Sequence, residues 1–541
     1  YRAVLVGREN NNPKAIAENN ELLFFTNYPS ENGQLKSWLH EHDSRYVGAN
    51  QSSEVAGGVP VNRPNVRVQE MNEWEIKTQA GILHYNMKWL DDDKGREKKR
   101  AFLKSIWLQA CAFLYTNRVH PEEIFWSYPG SMMTSDRDEL EGIFEDLCKI
   151  TPFGRKPELA NKLFTEAEAV CSYAMSQEFG LNSNNMFLGI DVGGSTSDIL
   201  LIAKNPQNNN RYSLFRESSV RLAAGVFFDA VKKSEQYRQA LVDFHEGHDT
   251  AVYVENIKEI IDHPDKAPYY LNSIFDQLKN QDDYDAFYAS LSSNAKFVFT
   301  IPAYVCGLLL FYSGMLIGKT IKLNRLGNIE RIELMPFGKG GRLFHWLRHA
   351  SSLRTTNEFY NNCVNAGLQL IIPDKTVSIK YHEEIENDNK TEVARGLCEN
   401  NELAIVDALN DCDICGEAGV RFIKDGNTIS IAPDDEISGE QFSDDMSYFD
   451  FSGVQNFEKF MDIFIKFVSK DTKLYHRAED SLRDEICELP TRIISFCTND
   501  PEYKKASKNN KNGEGFHYHQ PIIIAEGACF LKSLISKVFN Q

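Results

Sequence analysis

The stretch from Met186 to Ala203 limits the local path of this chain more tightly than any other. Apolar Met186, Phe187, Leu188 and Ile190 lead into Asp191-Val192-Gly193-Gly194-Ser195-Thr196-Ser197-Asp198, and a second apolar run, Ile199 to Ala203, follows at once. The pattern predicts a strand, a tight glycine turn and a second strand. Two adjacent glycines let backbone amides approach an anion without side-chain obstruction, and the hydroxyls of Ser195 and Thr196 add donors. That combination suits a phosphate. Asp191, at the end of the first strand, is expected to point into the same cleft, where a carboxylate beside polyphosphate is tolerable chiefly if a divalent cation lies between them. Mg2+, which keeps several waters and binds through one or two carboxylates plus phosphates, fits that role. The plainer alternative is a hairpin with solvated turn residues, but the ordered set of Asp, Gly, Gly, hydroxyl and second Asp favours phosphate.

Composition narrows the class further. The 541 residues carry 59 Lys+Arg against 77 Asp+Glu, a formal net charge of −18, with 42% hydrophobic and 25% charged residues. This is a globular composition that excludes a disordered, collagenous or disulfide-framework chain. Its length allows several domains or one large two-lobed enzyme. The acidic balance argues against nucleic acid or an anionic membrane as partner, since both call for a basic face. Eleven cysteines, odd in number and without a compact framework, suit a reducing compartment, so a cytoplasmic location is expected. Phe297 to Gly318 contains no charged residue and is long enough to cross a bilayer. Thr300 as a cap and Pro302 in the first turn predict instead a buried core helix, shorter than the ~20 residues of a membrane span.

Along the chain, the first sixty residues read as strands and loops, with Leu22 to Thr26 apolar and turns at Asn10 to Asn12 and Gly57-Gly58. Helical patterns are predicted over Arg96 to Asn117, Asp136 to Ile150 and Thr165 to Met175, with a strand at Ile124 to Tyr128 ended by Pro129-Gly130. After Asn208 to Asn210 a largely helical stretch runs to about residue 320. A strand at Ile332 to Phe337 then ends in Gly338-Lys339-Gly340-Gly341 before a helix at Arg342 to Ala350. Beyond Leu397 the character changes: Cys412 to Pro433 is expected to be β-rich with a turn at Asp425-Gly426, and Phe457 to Val468 helical. Ile522 to Ala525 reads as a strand and Phe530 to Phe539 as a helix. Asp434 to Asp445 and Tyr503 to Gly513 read as exposed linkers. No internal repeat is present.

Asp191 to Asp198 resembles the second phosphate loop of the superfamily that joins actin, sugar kinases and the seventy-kilodalton heat-shock chaperones. Other pieces lie in matching order. Ser127-Tyr128-Pro129-Gly130 resembles the strand end and proline before the connecting helix of the chaperones. Thr165-Glu166-Ala167-Glu168-Ala169 resembles the first connecting segment, whose glutamate in that family faces the attacking water. Phe337-Gly338-Lys339-Gly340-Gly341 resembles the adenosine loop, and Asn389 to Gly396 is similar to the segment that closes that lobe. The resemblance covers about residues 120 to 400, and its motif order is closest to the chaperone-like ATPase domain.

The resemblance implies an α/β, two-lobed actin-like (ribonuclease H-like) ATPase fold with an additional C-terminal α+β segment. The lobes would span 1–188 and 189–400, and 401–541 would be an accessory segment carrying partner specificity. It also implies ATP and Mg2+ as cofactors. Asp191 would organise the magnesium, Gly193, Gly194, Ser195 and Thr196 would hold phosphates, Gly338, Gly340 and Gly341 would border the nucleoside, and Glu166 with Asp191 would be catalytic. Nothing in residues 1 to 120 reads as the first phosphate loop, and chaperone-like spacing places it upstream of Tyr1. The implied function is a chaperone-like or actin-like ATPase whose lobe closure controls a protein partner or assembly, with filament formation open. A non-hydrolysing pseudo-ATPase scaffold and, lower in rank, a small-molecule kinase of the same fold are the alternatives.

Several readings compete locally. Thr165 and Glu168 have the spacing of a capping box, and Glu166 could simply stabilise a helix dipole. Ser313 to Thr320 nearly spells a P-loop, but the run before it reads as helix where that motif needs a strand. Cys412 to Cys415 has zinc-knuckle spacing without a second pair. Glu526-Gly527 weakly competes as an adenosine loop, and Tyr269 and Tyr270 read as packing residues.

Overall fold

The computed structural model describes six strand segments between residues 5 and 84, scattered positions between 96 and 114, and residues 121–128, 134–150, 156–160, 164–176, 183–193, 196–206, 211–227, 239, 300–326, 329–350, 353–382, 393, 396–397, 404–405, 413–424, 427–436, 449–451, 453–470, 479–499 and 520–539. It is a mixed α/β protein. The expected turns at Pro129-Gly130, Gly57-Gly58 and Asp425-Gly426, the Tyr503 to Gly513 linker, Tyr269, Tyr270 and Cys412 lie outside the described residues.

Strands β1 (Asn185–Val192), β2 (Ser197–Asn205), β3 (Arg211–Val220), β4 (Arg331–Phe337), β5 (Ser378–Tyr381) and β6 (Ala404–Ile405) form one sheet in the order β5-β4-β1-β2-β3-β6. The first three make an antiparallel meander, while β4 runs parallel to β1, β5 to β4 and β6 to β3. β1 and β2 are buried on both faces along almost their whole length, as continuous apolar runs require. Among the described elements, α1 (Thr134–Lys149) and α2 (Glu166–Ser176) lie before the sheet in the chain. Val170, Cys171 and Ala174 of α2 cover one sheet face through Phe187, Leu200, Ile202, Leu214, Met335 and Phe337.

The opposite face carries α3 (Thr300–Asn324), followed after β4 by α4 (Arg342–Ala350) and α5 (Leu353–Ile371). By length and composition α3 could cross a membrane, yet its apolar window is entirely buried within the fold. It is a core helix, as expected, but longer than expected, at 25 residues. Pro302 does not shorten it, because the missing N–H falls in the first turn, where no intrahelical bond is lost. The near P-loop is interior helix: Ser313 Oγ donates to Leu309 O at 2.7 Å and Thr320 Oγ1 to Leu316 O at 2.8 Å.

Further helices, α6 (Gln455–Lys470), α7 (Glu479–Asn499) and α8 (Ile522–Phe539), join the same hydrophobic cluster as α3. Tyr304 meets Phe464 edge-on at 5.3 Å between ring centroids and stacks on Phe530 at 5.6 Å. Beside them β7 (Val420–Lys424) and β8 (Asn427–Ile431) form the expected hairpin, completed by β9 (Phe449–Phe451).

Three local expectations are corrected. Residues 211–220 form strand β3 rather than helix. Their sequence, RYSLFRESSV, has no apolar run, and pairing with β2 supplies what local pattern lacks. Ile522 to Ala525 begins α8 rather than a strand, because burial of Ile522, Ile523 and Ile524 in the helical core overrides the β preference of β-branched residues. The start of the acidic stretch is no free linker: Lys319 Nζ donates to Asp434 O at 2.6 Å and Lys322 Nζ to Asp434 Oδ2 at 3.1 Å.

Helices α3 and α5 cross through glycines. A Cβ on Gly314 would lie 2.1 Å from the Val364 carbonyl oxygen, and one on Gly367 would lie 1.9 Å from that of Phe311. Gly314→Ala is therefore expected to destabilise the protein by about 3 kcal/mol, at the upper end of overpacking costs. Leu323→Ala, at a position 56% exposed, should stay within about 0.5 kcal/mol. Denaturant midpoints from far-ultraviolet circular dichroism check both, and a neutral Gly314→Ala would contradict the crossing.

Candidate functional site

β1 and β4 run parallel with Asp191 in register with Phe337, so the turns after both strands emerge at the same, carboxyl, end of the sheet. In open α/β sheets ligands bind at that end. The β1–β2 turn is closed by the Gly193 N–H, which donates to the Thr196 carbonyl at 2.8 Å. It is tethered from behind. The Gly193 carbonyl accepts the Ala224 N–H at 3.1 Å, and Ser197 Oγ donates to the Leu222 carbonyl at 2.5 Å. The tip residues Gly194 and Ser195 lie outside the described residues.

After β4, Gly338 takes the left-handed conformation, φ +67°, that glycine tolerates best. A Cβ there would meet Asp191 Oδ1 at 2.1 Å, so the Asp191 carboxylate rests directly on the Gly338 backbone. The second turn approaches the first equally closely at Gly340, where a Cβ would lie 2.4 Å from the Val192 carbonyl and 2.9 Å from Ala224 Cβ. Gly341 closes its own turn by donating its N–H to the Gly338 carbonyl at 3.1 Å, and α4 begins at Arg342. The structure thus brings together Asp191, Gly193, Thr196, Gly338, Gly340 and Gly341.

Pairing adds residues that the sequence reading left without a role. Asp198 is directly opposite Asp191 in the β1–β2 register and is itself buried. Directly opposed like charges destabilise a sheet. Asp198 pairs in turn with Ser219 of β3, and two positions along the same face Leu200 pairs with Glu217. Asp198 was visible in the motif, but its partner follows only from the turn's two-strand register. Glu217, in a polar segment that read as helix, gave no signal.

Glu217 leads to α2. Its Oε2 accepts the Thr165 hydroxyl at 3.2 Å, which sets the start of α2 close to the Asp191–Asp198 pair along the sheet. Thr165 and Glu168 form a reciprocal capping box: the Glu168 N–H donates to Thr165 Oγ1 at 3.0 Å and the Thr165 N–H to Glu168 Oε2 at 2.7 Å. Glu168 is thereby assigned to the helix end. Glu166 is the first residue of α2 and half-buried. Tyr128, beside this group, has its hydroxyl raised above the ordinary range chiefly by burial, with Glu168 and Glu217 adding and Arg137 opposing. Of Asn389 to Gly396, only Val393 and Gly396 are described. A Cβ on Gly396 would lie 1.7 Å from the Ala169 carbonyl, so this segment crosses α2 backbone to backbone.

The rival motifs serve packing. A Cβ on Gly527 would lie 2.1 Å from Leu308 Cδ2, and the Gly527 carbonyl accepts the Tyr304 hydroxyl at 3.0 Å, which places it inside the core and not in a nucleoside loop. Burial pushes the Cys415 thiol up to about 12, an inert state. Among the described residues no group of three or more His, Cys, Asp or Glu side chains is arranged to hold a metal ion by itself. No protein-family model matches the chain, and no curated protein is significantly similar to it.

The capping box separates two neighbouring glutamates by their effect on stability. Glu168→Ala should cost about 1 kcal/mol, the usual worth of a helix cap, while Glu166→Gln should stay within about 0.5 kcal/mol. Thermal melts of the two variants test this, and equal losses would contradict the assignment.

Proposed function

We propose that the chain binds Mg-ATP between the two glycine turns and hydrolyses it, as a cytoplasmic chaperone-like or actin-like ATPase of two-lobed, ribonuclease H-like fold whose closure on nucleotide controls a protein partner or assembly. The observation that carries the reading is the Asp191 carboxylate seated on Gly338, which joins two glycine turns at the carboxyl ends of adjacent parallel strands. The meander with parallel strands added beside β1 supports the fold assignment.

The donors fit phosphate and magnesium. The amides of the Gly193–Thr196 turn and the hydroxyls of Ser195 and Thr196 would hold phosphate oxygens, and the Gly338–Gly341 backbone would lie against the nucleoside. Asp191, with Asp198 opposite, would organise magnesium through its waters. When bound, the cation neutralises charge on the transferred phosphoryl group. Glu166, at the start of α2, would orient the attacking water by accepting its hydrogen bond. Thr165 before it and Glu168 two residues on are engaged in the capping box, which holds the helix start in place. In-line attack breaks the bond between the terminal phosphorus and its bridging oxygen, so positioning decides the rate.

A ligand that binds only the folded state stabilises it by about 2.7 kcal/mol at a hundred times its dissociation constant. Mg-ATP is therefore expected to raise the melting temperature of the native chain, and Asp191→Ala to abolish most of the shift. Glu166→Gln should keep the shift and lose phosphate release. Binding without release in the native chain would favour the non-hydrolysing scaffold, and no shift with Mg-ATP or Mg-ADP would sink the reading.

A further inference from the structure

Two residues before α8 begins, Gln520 reaches back to the end of β3. Its Oε1 accepts the Arg221 N–H at 2.6 Å and its Nε2 donates to the Ser219 carbonyl at 3.3 Å. One side-chain amide thus engages an N–H and a carbonyl of β3's end as a neighbouring strand would. β6 pairs with β3 only at Ser213 and Leu214, so at Ser219 and Arg221 this role falls to Gln520.

The backbone that Gln520 grips is the one that steadies the phosphate turn. Ser219 is opposite Asp198 in register, the Leu222 carbonyl accepts Ser197 Oγ, and the Ala224 N–H donates to the Gly193 carbonyl. On its other side Gln520 is continuous with α8, whose first residue donates its N–H to the Cys415 carbonyl at 2.9 Å and whose Gly527 carbonyl accepts the buried Tyr304 hydroxyl. From α8 the Gln520 side chain therefore reaches the 219–224 backbone, and that same backbone is hydrogen-bonded to Ser197 and Gly193.

We propose that Gln520 is a positioning residue of the nucleotide site, through which nucleotide occupancy and the seating of α8 control each other. The inference rests on the nucleotide reading above. Because coupling between two sites is reciprocal, a partner that shifts α8 changes nucleotide affinity, and nucleotide changes the affinity for that partner by the same factor.

The test uses the full chain, a fluorescent Mg-ATP analogue and amide hydrogen exchange. Gln520→Ala, verified as folded by circular dichroism, should weaken the analogue about fivefold or more, the lower bound of typical couplings. Gln520→Glu, which keeps the acceptor for Arg221 but loses the donor to Ser219, should fall between. Lys532→Ala, on the exposed side of α8, should bind as the native chain does. In the native chain Mg-ATP should slow exchange both at 191–198 and at 520–526, and in Gln520→Ala only at 191–198. A merely structural role would lower the melting temperature yet leave the nucleotide-dependent difference at 520–526 intact. That result, or native affinity in Gln520→Ala, would overturn the proposal. If the native chain bound no nucleotide, the underlying reading would fall first and this one with it.

Discussion

Burial of α3 sets how the other elements pack. From Thr300 to Gly318 it presents apolar or small residues all round, so water is excluded from every side only if a sheet, two or more helices and the C-terminal helix enclose it. It leads directly into β4, which pairs with β1 on the side away from β2. The glycines at its crossings set the depth of the packing: Gly307 against Phe359 and Phe460, Gly314 against the backbone of α5, and Gly318 against Ile371. With α3 fixed, β4 can lie parallel to β1 with Asp191 level with Phe337.

That level register is what makes the site. Two turns leave the same end of the sheet, and the absence of side chains at Gly338 and Gly340 lets them touch. Asp191 and the Val192 carbonyl occupy space that any other residue would have claimed. The polar groups gather on the face that carries α2, where Asp191, Asp198 and Glu217 follow one another along adjacent strands and Thr165 ties the helix start to Glu217. The opposite face is apolar through Met186, Leu188, Ile190 and Leu201. The α2 face thus combines these polar groups with a smaller apolar cluster, and the other face carries the larger core.

Much of this was legible where local sequence and tertiary context agree. β1, its turn and β2 follow from apolar runs flanking glycines, and α4 and the capping box of α2 were readable from residue type and spacing. Legibility failed where the signal is not local. β3 is polar at Arg211, Ser213, Arg216, Glu217 and Ser218, and it is a strand because β2 needs a partner. The isoleucines that open α8 favour a strand in isolation and become helical because helices surround them. Asp198 and Glu217 acquire meaning only from what lies across the sheet, and Gln520 only from contact with a segment some three hundred residues earlier in the chain. Pairing across distance leaves no periodicity to read.

In the proposed function, nucleotide lies between the Asp191 and Gly338 turns. Photolabelling with an azido-adenine analogue of ATP in magnesium buffer, followed by peptide mapping, tests it most directly. The label should attach within or beside residues 336–346 and be displaced by excess ATP. Labelling confined to other segments, or labelling that ATP does not displace, would contradict the account.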